Sequence, residues 1–219
     1  MQFIEDGFEV VQNIISTGEI ESITCEVEKL ESKGGGIRNA EKKIASVKTL
    51  AESPKFISLA SNYLSGQAKF VRAIIFFKSI ENNWLVTWHQ DKTVTVSKRL
   101  DAPGWGPWSQ KDGVLHVQPP VEVLTKMVTF RVHLDDSTEQ NGGLKLIPGS
   151  HKEGVMSQAS IENYSKMRSA ISCEAPAGSA LIMRPHILHA SSKAKSTHPR
   201  RVLHLEYSSY KLPGGIEWA

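Results

Sequence analysis

The sequence predicts a mainly β protein with flanking α-helices, the helices first and a two-sheet β core, sandwich or closed barrel, after them. Apolar residues recur at helical spacing over the first third of the chain. From Ala68 onward, short apolar or alternating runs take over. Clusters of Gly, Pro, Asn and Asp separate those runs. Many short strands without long helical stretches between them argue against repeated βαβ units.

Taken in order, Ser16-Thr17-Gly18-Glu19 has the spacing of a capping box. Ile20, Ile23, Val27 and Leu30 follow on one helical face. Gly34-Gly35-Gly36 ends that helix as a flexible connector, without the GxGxxG spacing of a phosphate loop. A second helix starts near Ser53-Pro54 and carries Phe56, Leu59, Ala60 and Tyr63 on one side. Strands are expected at 71–77, 85–89, 94–98, 127–134, 144–147, 171–174, Ala180–Met183, 187–190 and 202–207, with turns at Asn141-Gly142-Gly143 and Pro176-Ala177-Gly178. No repeat or low-complexity linker interrupts the chain. The expectation is therefore a single domain over 1–219, with an N-terminal helical segment (1–67) packed on a β core (68–210).

The chain has 219 residues, 40% hydrophobic and 22% charged, enough to bury a core without disulfide or metal staples. A net charge of +3 from interspersed residues gives no basis for a nucleic-acid partner. The apolar runs 73–77 and 180–183 fall far short of the roughly 20 residues that span a bilayer, so no membrane partner is expected. Residues 1–15 carry Glu5, Asp6 and Glu9 where a signal peptide would be basic, which points to a cytoplasmic location. Cys25 and Cys173 form no CxxC or zinc pattern and read as buried free thiols.

The chemistry concentrates at two places. In Trp88-His89-Gln90-Asp91, at the end of a strand, alternation turns His89 and Asp91 to one face and Gln90 to the other. An imidazole and a carboxylate so placed, joined by a distant His, make the facial 2-His-1-carboxylate set of non-haem Fe(II) oxygenases. HxD alone is a weak signal. The distal segment 180–192 offers His186 and His189; on a continuous strand they face opposite ways, so one of them reaches the metal. The distance to the arginines of Pro199-Arg200-Arg201 and the following Ser191-Ser192 favour His189. Arg200 is favoured over Arg201 as an inward guanidinium for a carboxylate, because the same alternation puts Arg200, Val202 and His204 on one face.

Together with Asp6-Gly7-Phe8, the run from Asn141-Gly142-Gly143 through Pro148-Gly149-Ser150-His151, and His189-Ala190-Ser191-Ser192, these motifs resemble the phytanoyl-CoA dioxygenase family of Fe(II)/2-oxoglutarate-dependent oxygenases. The likeness runs from about 71 to 207. The Gly- and Trp-rich stretch 104–108, the run 116–120 and the ending 212–218 look like a bacterial branch of mostly unassigned substrate. The resemblance implies a double-stranded β-helix (jelly-roll, cupin-like) core. It implies Fe(II) held by His89, Asp91 and His189, with 2-oxoglutarate and O2 as co-reactants. Arg200 would take the remote carboxylate of 2-oxoglutarate, with Ser191 hydrogen-bonded to it; Arg131, in the strand at 129–134, either contacts the cosubstrate or substrate from inside or faces outward into solvent. Family members that halogenate lack the carboxylate ligand, so Asp91 implies hydroxylation of a small organic substrate, with 2-oxoglutarate decarboxylated to succinate. Ala190 departs from the Gly common after the distal His.

Alternatives are a differently metallated cupin-like protein or a non-catalytic binding module. Residues 98–120, with Trp105 and Trp108 among Gly and Pro, are expected to form a substrate lid. Lys78 is either inward or solvated. His133, His151 and His204 read as structural, with lining of the site as the alternative, and Asp135-Asp136 as a turn. The oligomeric state is not written in the sequence.

Overall fold

A computed structural model describes residues 2–30 and 35–219. Its helices are α1 (Gln2–Asp6), α2 (Thr17–Glu28), α3 (Ala45–Ala51), α4 (Pro54–Asn62), α5 (Val121–Thr125) and α6 (Gln158–Met167). Its strands are β1 (Phe8–Val11), β2 (Gly36–Arg38), β3 (Lys69–Lys78), β4 (Val86–His89), β5 (Val94–Val96), β6 (Trp108–Lys111), β7 (Val114–Val117), β8 (Met127–His133), β9 (Leu144–Leu146), β10 (Ile171–Cys173), β11 (Ala180–Met183), β12 (His189–Ser191) and β13 (Arg200–Ser208).

The strands form a six-stranded sheet in the order β1-β11-β8-β13-β3-β2, a four-stranded sheet β10-β9-β12-β4 and a three-stranded sheet β5-β7-β6, each pairing antiparallel. The six- and four-stranded sheets face each other across one cavity, whose walls come from both. This is a jelly-roll core with helices on its outer side.

The helices form where capping and periodicity place them. Ser16 accepts from Glu19 N, and Glu19 Oε2 accepts from Ser16 N at 2.7 Å, closing both arms of the capping box of α2. Ser53 caps α4, with Pro54 in its first turn. Ile23 and Val27 of α2, Val47 and Leu50 of α3, and Phe56 and Ala60 of α4 bury against the outer face of the six-stranded sheet. That face is supplied by Ala73 and Ile75 (β3), Val128, Phe130 and Val132 (β8), and Leu203, Leu205 and Tyr207 (β13). Alternation sends the intervening residues inward.

The nine expected strands are present with shifted ends. One shift matters: the strand expected over 187–190 is β12, which starts two residues later than expected. Residues between β11 and β12 form a turn, and the strand begins at His189. The strands β1, β2, β6 and β7 and the helices α3, α5 and α6 were not expected. Of the glycine connector, Gly34 lies outside the described residues, while Gly36 opens β2 under Ile75, whose carbonyl leaves no room for a Cβ. Cys173 is buried as expected, but Cys25 is exposed, on the solvent side of α2.

Residues 98–120 do not form a lid over the cavity. They contain the β6–β7 hairpin, and Trp105 and Trp108 pack on a second core with Val71, Val94, Val117 and Trp218. None of these residues lines the cavity between the two larger sheets. The hairpin turn is Asp112-Gly113, both at positive φ, which over-rides the irregularity suggested by the preceding Gly and Pro.

Candidate active site

The antiparallel ladder brings the two halves of the HxD…H pattern together. β12 pairs with β4 so that His189 lies directly opposite His89, with ring centroids 4.1 Å apart. Asp91, just past the end of β4, is tied by its backbone N to Pro185 O at 2.9 Å. His89 Nε2 is 3.8 Å from Asp91 Oδ1, and His189 Nε2 is 3.6 Å from Asp91 Oδ2. One donor atom from each residue falls within 4.8 Å of the other two.

Both imidazoles are oriented from behind. His89 Nδ1 lies 2.9 Å from Thr87 O, and His189 Nδ1 lies 2.9 Å from Ile187 O. A carbonyl can only accept, so each ring carries its proton on Nδ1 and leaves the Nε2 lone pair directed at the shared space. Burial drives the His189 imidazolium pKa down to about 3, which keeps the ring a neutral donor. Burial alone would raise the Asp91 carboxyl, but the imidazoles around it, His189 foremost, and the Arg131 guanidinium outweigh that and hold it below the usual carboxylate range. Two imidazole nitrogens and one carboxylate converging on a single point fit a divalent, oxygen-activating metal such as Fe(II).

Gln90 points away from this point, as alternation requires. Its amide donates to Gly154 O and His186 O, both at 2.7 Å, and its carbonyl accepts from Met156 N at 2.8 Å, so it fastens the ligand strand to two loops. His186 sits in the β11–β12 turn, buried, with its ring 6.1 Å from that of His151, and it is not part of the ligand cluster. The two histidines are thus separated by a turn, not by strand alternation.

Arg200 opens β13 opposite Lys78, the last residue of β3, and both side chains are buried in the cavity wall. The Nε of Arg200 is buried with no partner, and its guanidinium makes no hydrogen bond or ion pair among the described residues. Burial and the neighbouring Arg131 lower its pKa to about 9. An unpaired buried guanidinium costs several kcal/mol unless an anion joins it. Arg201, by contrast, faces outward and is paired with Asp135 (2.8 and 2.9 Å) and Glu28 (3.3 Å).

Ser191 also lines the cavity, but its proton goes to Gly142 O at 2.8 Å, and its oxygen accepts from Lys78 Nζ at 2.6 Å. Lys78 also donates to Ser192 O at 2.9 Å and stands 5.3 Å over the Trp84 ring. Gly142, at φ +76, lets this cluster close, since a Cβ there would meet Lys78 Cδ and Ser192 O at 2.7 Å. Asn141 braces the same turn by accepting from Thr138 N and donating to Asp136 O. Ser150, from the second half of the motif, accepts from Leu188 N and so secures the approach to His189.

The cavity has a volume of about 90 Å³ and is lined by Lys78, Arg131, Arg200, Ser191, the metal-site trio and the apolar Phe76, Trp84, Val86 and Leu144. Arg131 projects from the centre of β8 toward it and is 6% exposed. Sequence reasoning left Lys78 undecided, and missed Phe76, Val86 and Leu144 as wall residues; inward parity was the available signal for Phe76 on β3 and Leu144 on β9, whereas Val86, of opposite parity to His89, reaches the wall through the irregular register between β4 and β12. His133, buried behind Arg131, is driven to about 3 by burial and the two arginines, and does not belong to the cavity wall.

A family model described as phytanoyl-CoA dioxygenase (PhyH) matches residues 3–202. L-proline trans-4-hydroxylase of Streptomyces griseoviridis is 24% identical over 185 residues, covering 73% of this chain; the chain spans 61% of that relative's length. Ectoine dioxygenase of Nocardia farcinica (strain IFM 10152) is 21% identical over 246 residues, covering 94% of this chain and 76% of the relative. The crystal structure of HygX from Streptomyces hygroscopicus, with nickel and 2-oxoglutarate bound, shares the fold with a TM-score of 0.67 and 16% identity, over 94% of this chain and 83% of that one. With the family model covering most of its length, the chain belongs to the phytanoyl-CoA dioxygenase family.

Proposed function

We propose that this protein is an Fe(II)/2-oxoglutarate-dependent dioxygenase that hydroxylates a small organic molecule in the cytoplasm, within a single domain. One observation carries the reading: two imidazoles and a carboxylate converge beside a buried arginine whose guanidinium has no hydrogen-bond partner among the described residues. His89, Asp91 and His189 would hold the iron. Arg200 would bind the remote carboxylate of 2-oxoglutarate, with the Lys78 ammonium beside it and Ser191 setting that ammonium in place. Arg131 would face the same dianion from β8.

Bound ferrous iron supplies the activation of O2 that is coupled to decarboxylation of 2-oxoglutarate. The chain's own residues do the rest. The Thr87 and Ile187 carbonyls keep the donor lone pairs aimed, and the cations of the wall neutralise the incoming dianion. Phe76, Trp84, Val86 and Leu144 exclude water from one side of the cavity. The relatives named for L-proline and ectoine act on small molecules, which supports a substrate of that size here. A charge balance near neutrality supports a partner other than nucleic acid, and no helix among the described residues is long and apolar enough to cross a membrane.

The test is aerobic incubation with Fe(II), ascorbate and 2-oxoglutarate, reading succinate and CO2. The wild type should release both, and Asp91→Ala and His189→Ala should reduce release at least about 100-fold while His186→Ala retains most of it. Equal loss in the His186 and His189 variants at unchanged iron content would remove the ligand assignment.

A further inference from the structure

Beyond Arg200, the inward face of β13 carries His204 and Glu206, both buried and both outside the cavity wall. Arg131 Nη1 lies 3.1 Å from His204 Nδ1. A guanidinium can only donate, so Nδ1 is the accepting nitrogen and the ring proton sits on Nε2. That nitrogen is 3.1 Å from Glu206 Oε1, and the same oxygen accepts from Arg72 Nη2 at 2.8 Å. Arg72 continues to Thr93 O at 2.9 Å and to His116 Nδ1 of β7 at 3.2 Å. All five residues are at most 6% exposed. A hydrogen-bonded file therefore runs from the cavity wall to the three-stranded sheet, in the order Arg131, His204, Glu206, Arg72, His116.

The order of charges is informative. Glu206 is ion-paired with Arg72, so its charge is already matched. Between Glu206 and Arg131 stands an imidazole with one proton, which transmits direction without neutralising the guanidinium. Arg131 rests 5.4 Å over the Phe76 ring, has a buried Nε without a partner, and makes no ion pair among the described residues. Apart from its longer-range attraction to Asp91, a buried cation held by one accepting nitrogen has most of its donors left for something else.

We propose that His204 is a positioning residue for 2-oxoglutarate that acts through Arg131: Glu206 fixes the His204 proton on Nε2, Nδ1 then holds one Nη of Arg131, and the guanidinium is aimed at the dicarboxylate in the cavity. This rests on the reading of the cavity as a 2-oxoglutarate site and assigns a second anion-gripping arginine opposite Arg200, with the residue that aims it.

The experiment is calorimetric titration of 2-oxoglutarate into Mn(II)-loaded protein, with Mn(II) affinity and thermal unfolding measured alongside. His204→Phe keeps a ring against Phe76 but offers no acceptor. It should weaken 2-oxoglutarate about tenfold and Mn(II) less than about threefold. His204→Asn, whose Oδ1 can stand in for Nδ1, should recover binding to within about threefold of wild type. In an Arg131→Met background the His204→Phe change should add less than about twofold, because the arm through which it acts is gone. Unchanged affinity in His204→Phe or in Arg131→Met, equal weakness of the Phe and Asn variants, or multiplicative effects in the double variant would each overturn the proposal. Should His204→Phe not fold, imidazole 15N shifts of the wild type decide it: a proton on Nδ1 of His204 overturns the proposal, and one on Nε2 supports it. A wild type that fails to bind 2-oxoglutarate, or an Arg200→Met variant that binds it undiminished, would instead defeat the underlying reading of the site.

Discussion

The two faces of β3, β8 and β13 are made from the same strands and do opposite work. Outward, Ala73, Ile75, Val128, Phe130, Val132, Leu203 and Leu205 meet the helices in a dry apolar layer. Inward, the alternate residues Arg72, Lys78, Thr129, Arg131, His133, Arg200, His204 and Glu206 fill the barrel with charge and hydrogen-bonding groups. The outer face is satisfied within the chain. The inner face is not: Arg200 and Arg131 keep buried N–H groups with no partner. A protein that spent its interior on stability alone would not leave two guanidinium groups in this condition, since apolar replacements of buried charges are commonly neutral or stabilising. The difference teaches that stability and ligand recognition are separated here by strand parity, and substitutions can test the separation.

The largest effect expected in binding is at Arg200. Arg200→Met should weaken 2-oxoglutarate by roughly 10- to 100-fold, the loss of charge-assisted bonds to a carboxylate, while the unfolding temperature stays level or rises. Its neighbour Arg201 supplies the control one residue away. Arg201→Met removes a half-exposed pair with Asp135 and Glu28, should cost under about 1 kcal/mol, and should leave 2-oxoglutarate affinity in place. If both variants lost stability and neither lost affinity, the inner face would be structural like the outer one.

The reverse substitution belongs to the outer face. Phe130 is fully buried and meets Phe56 and Tyr207 edge-on, with centroids 6.0 and 5.5 Å away. Phe130→Ala should cost about 3–5 kcal/mol in urea unfolding, yet at low temperature the folded fraction should bind 2-oxoglutarate with near wild-type affinity. A large loss of affinity in that fraction would show that the two faces are coupled across the sheet.

Much of this division could be read before any coordinates, because parity is a local property. The alternation around Arg200, Val202 and His204, the offset of Gln90 from His89 and Asp91, and the capping box at Ser16 all depend on a few adjacent residues. What could not be read depends on partners distant in the chain. β1 is a strand because β11 pairs with it at Phe8↔Met183; its own four residues carry weak alternation and an exposed Val10. Arg72 and Glu206 are each improbable inside a strand, and only their pairing across β3 and β13 makes either tolerable. The β6–β7 hairpin was legible in principle from Asp112-Gly113, but the Gly- and Pro-rich approach masked it. Ser191 was placed on the correct face, yet its commitment to Gly142 and Lys78 required the loop carrying Asn141 to be folded over it.

Lys78 gives the smallest expected effect and the finest test of the inner face. Burial, with Arg200 and Arg131 facing it from β13 and β8, lowers its pKa to about 8; Asp91, across the cavity, is the carboxylate among the wall residues. The folded protein therefore holds this proton less tightly than the unfolded chain, whose lysines titrate near 10.4. Two consequences of opposite sign follow. For stability, the penalty of the buried ammonium is fully present below pH 8 and is relieved as pH rises from about 8 toward 10.4, because the unfolded chain binds the extra proton there. For binding, loss of that proton removes a cation from the dicarboxylate's neighbourhood, so 2-oxoglutarate affinity of the Mn(II)-loaded protein should fall by up to about tenfold between pH 7 and 9. Lys78→Met should bind more weakly at pH 7 and show a flat profile across the same range, while gaining stability relative to wild type at pH 7 more than at pH 10. A wild-type profile that does not slope, or a slope that survives in Lys78→Met, would mean that Lys78 is held by Ser191 and Ser192 for the fold alone, and that the inner face is divided between Arg200, which waits for a ligand, and a lysine that does not.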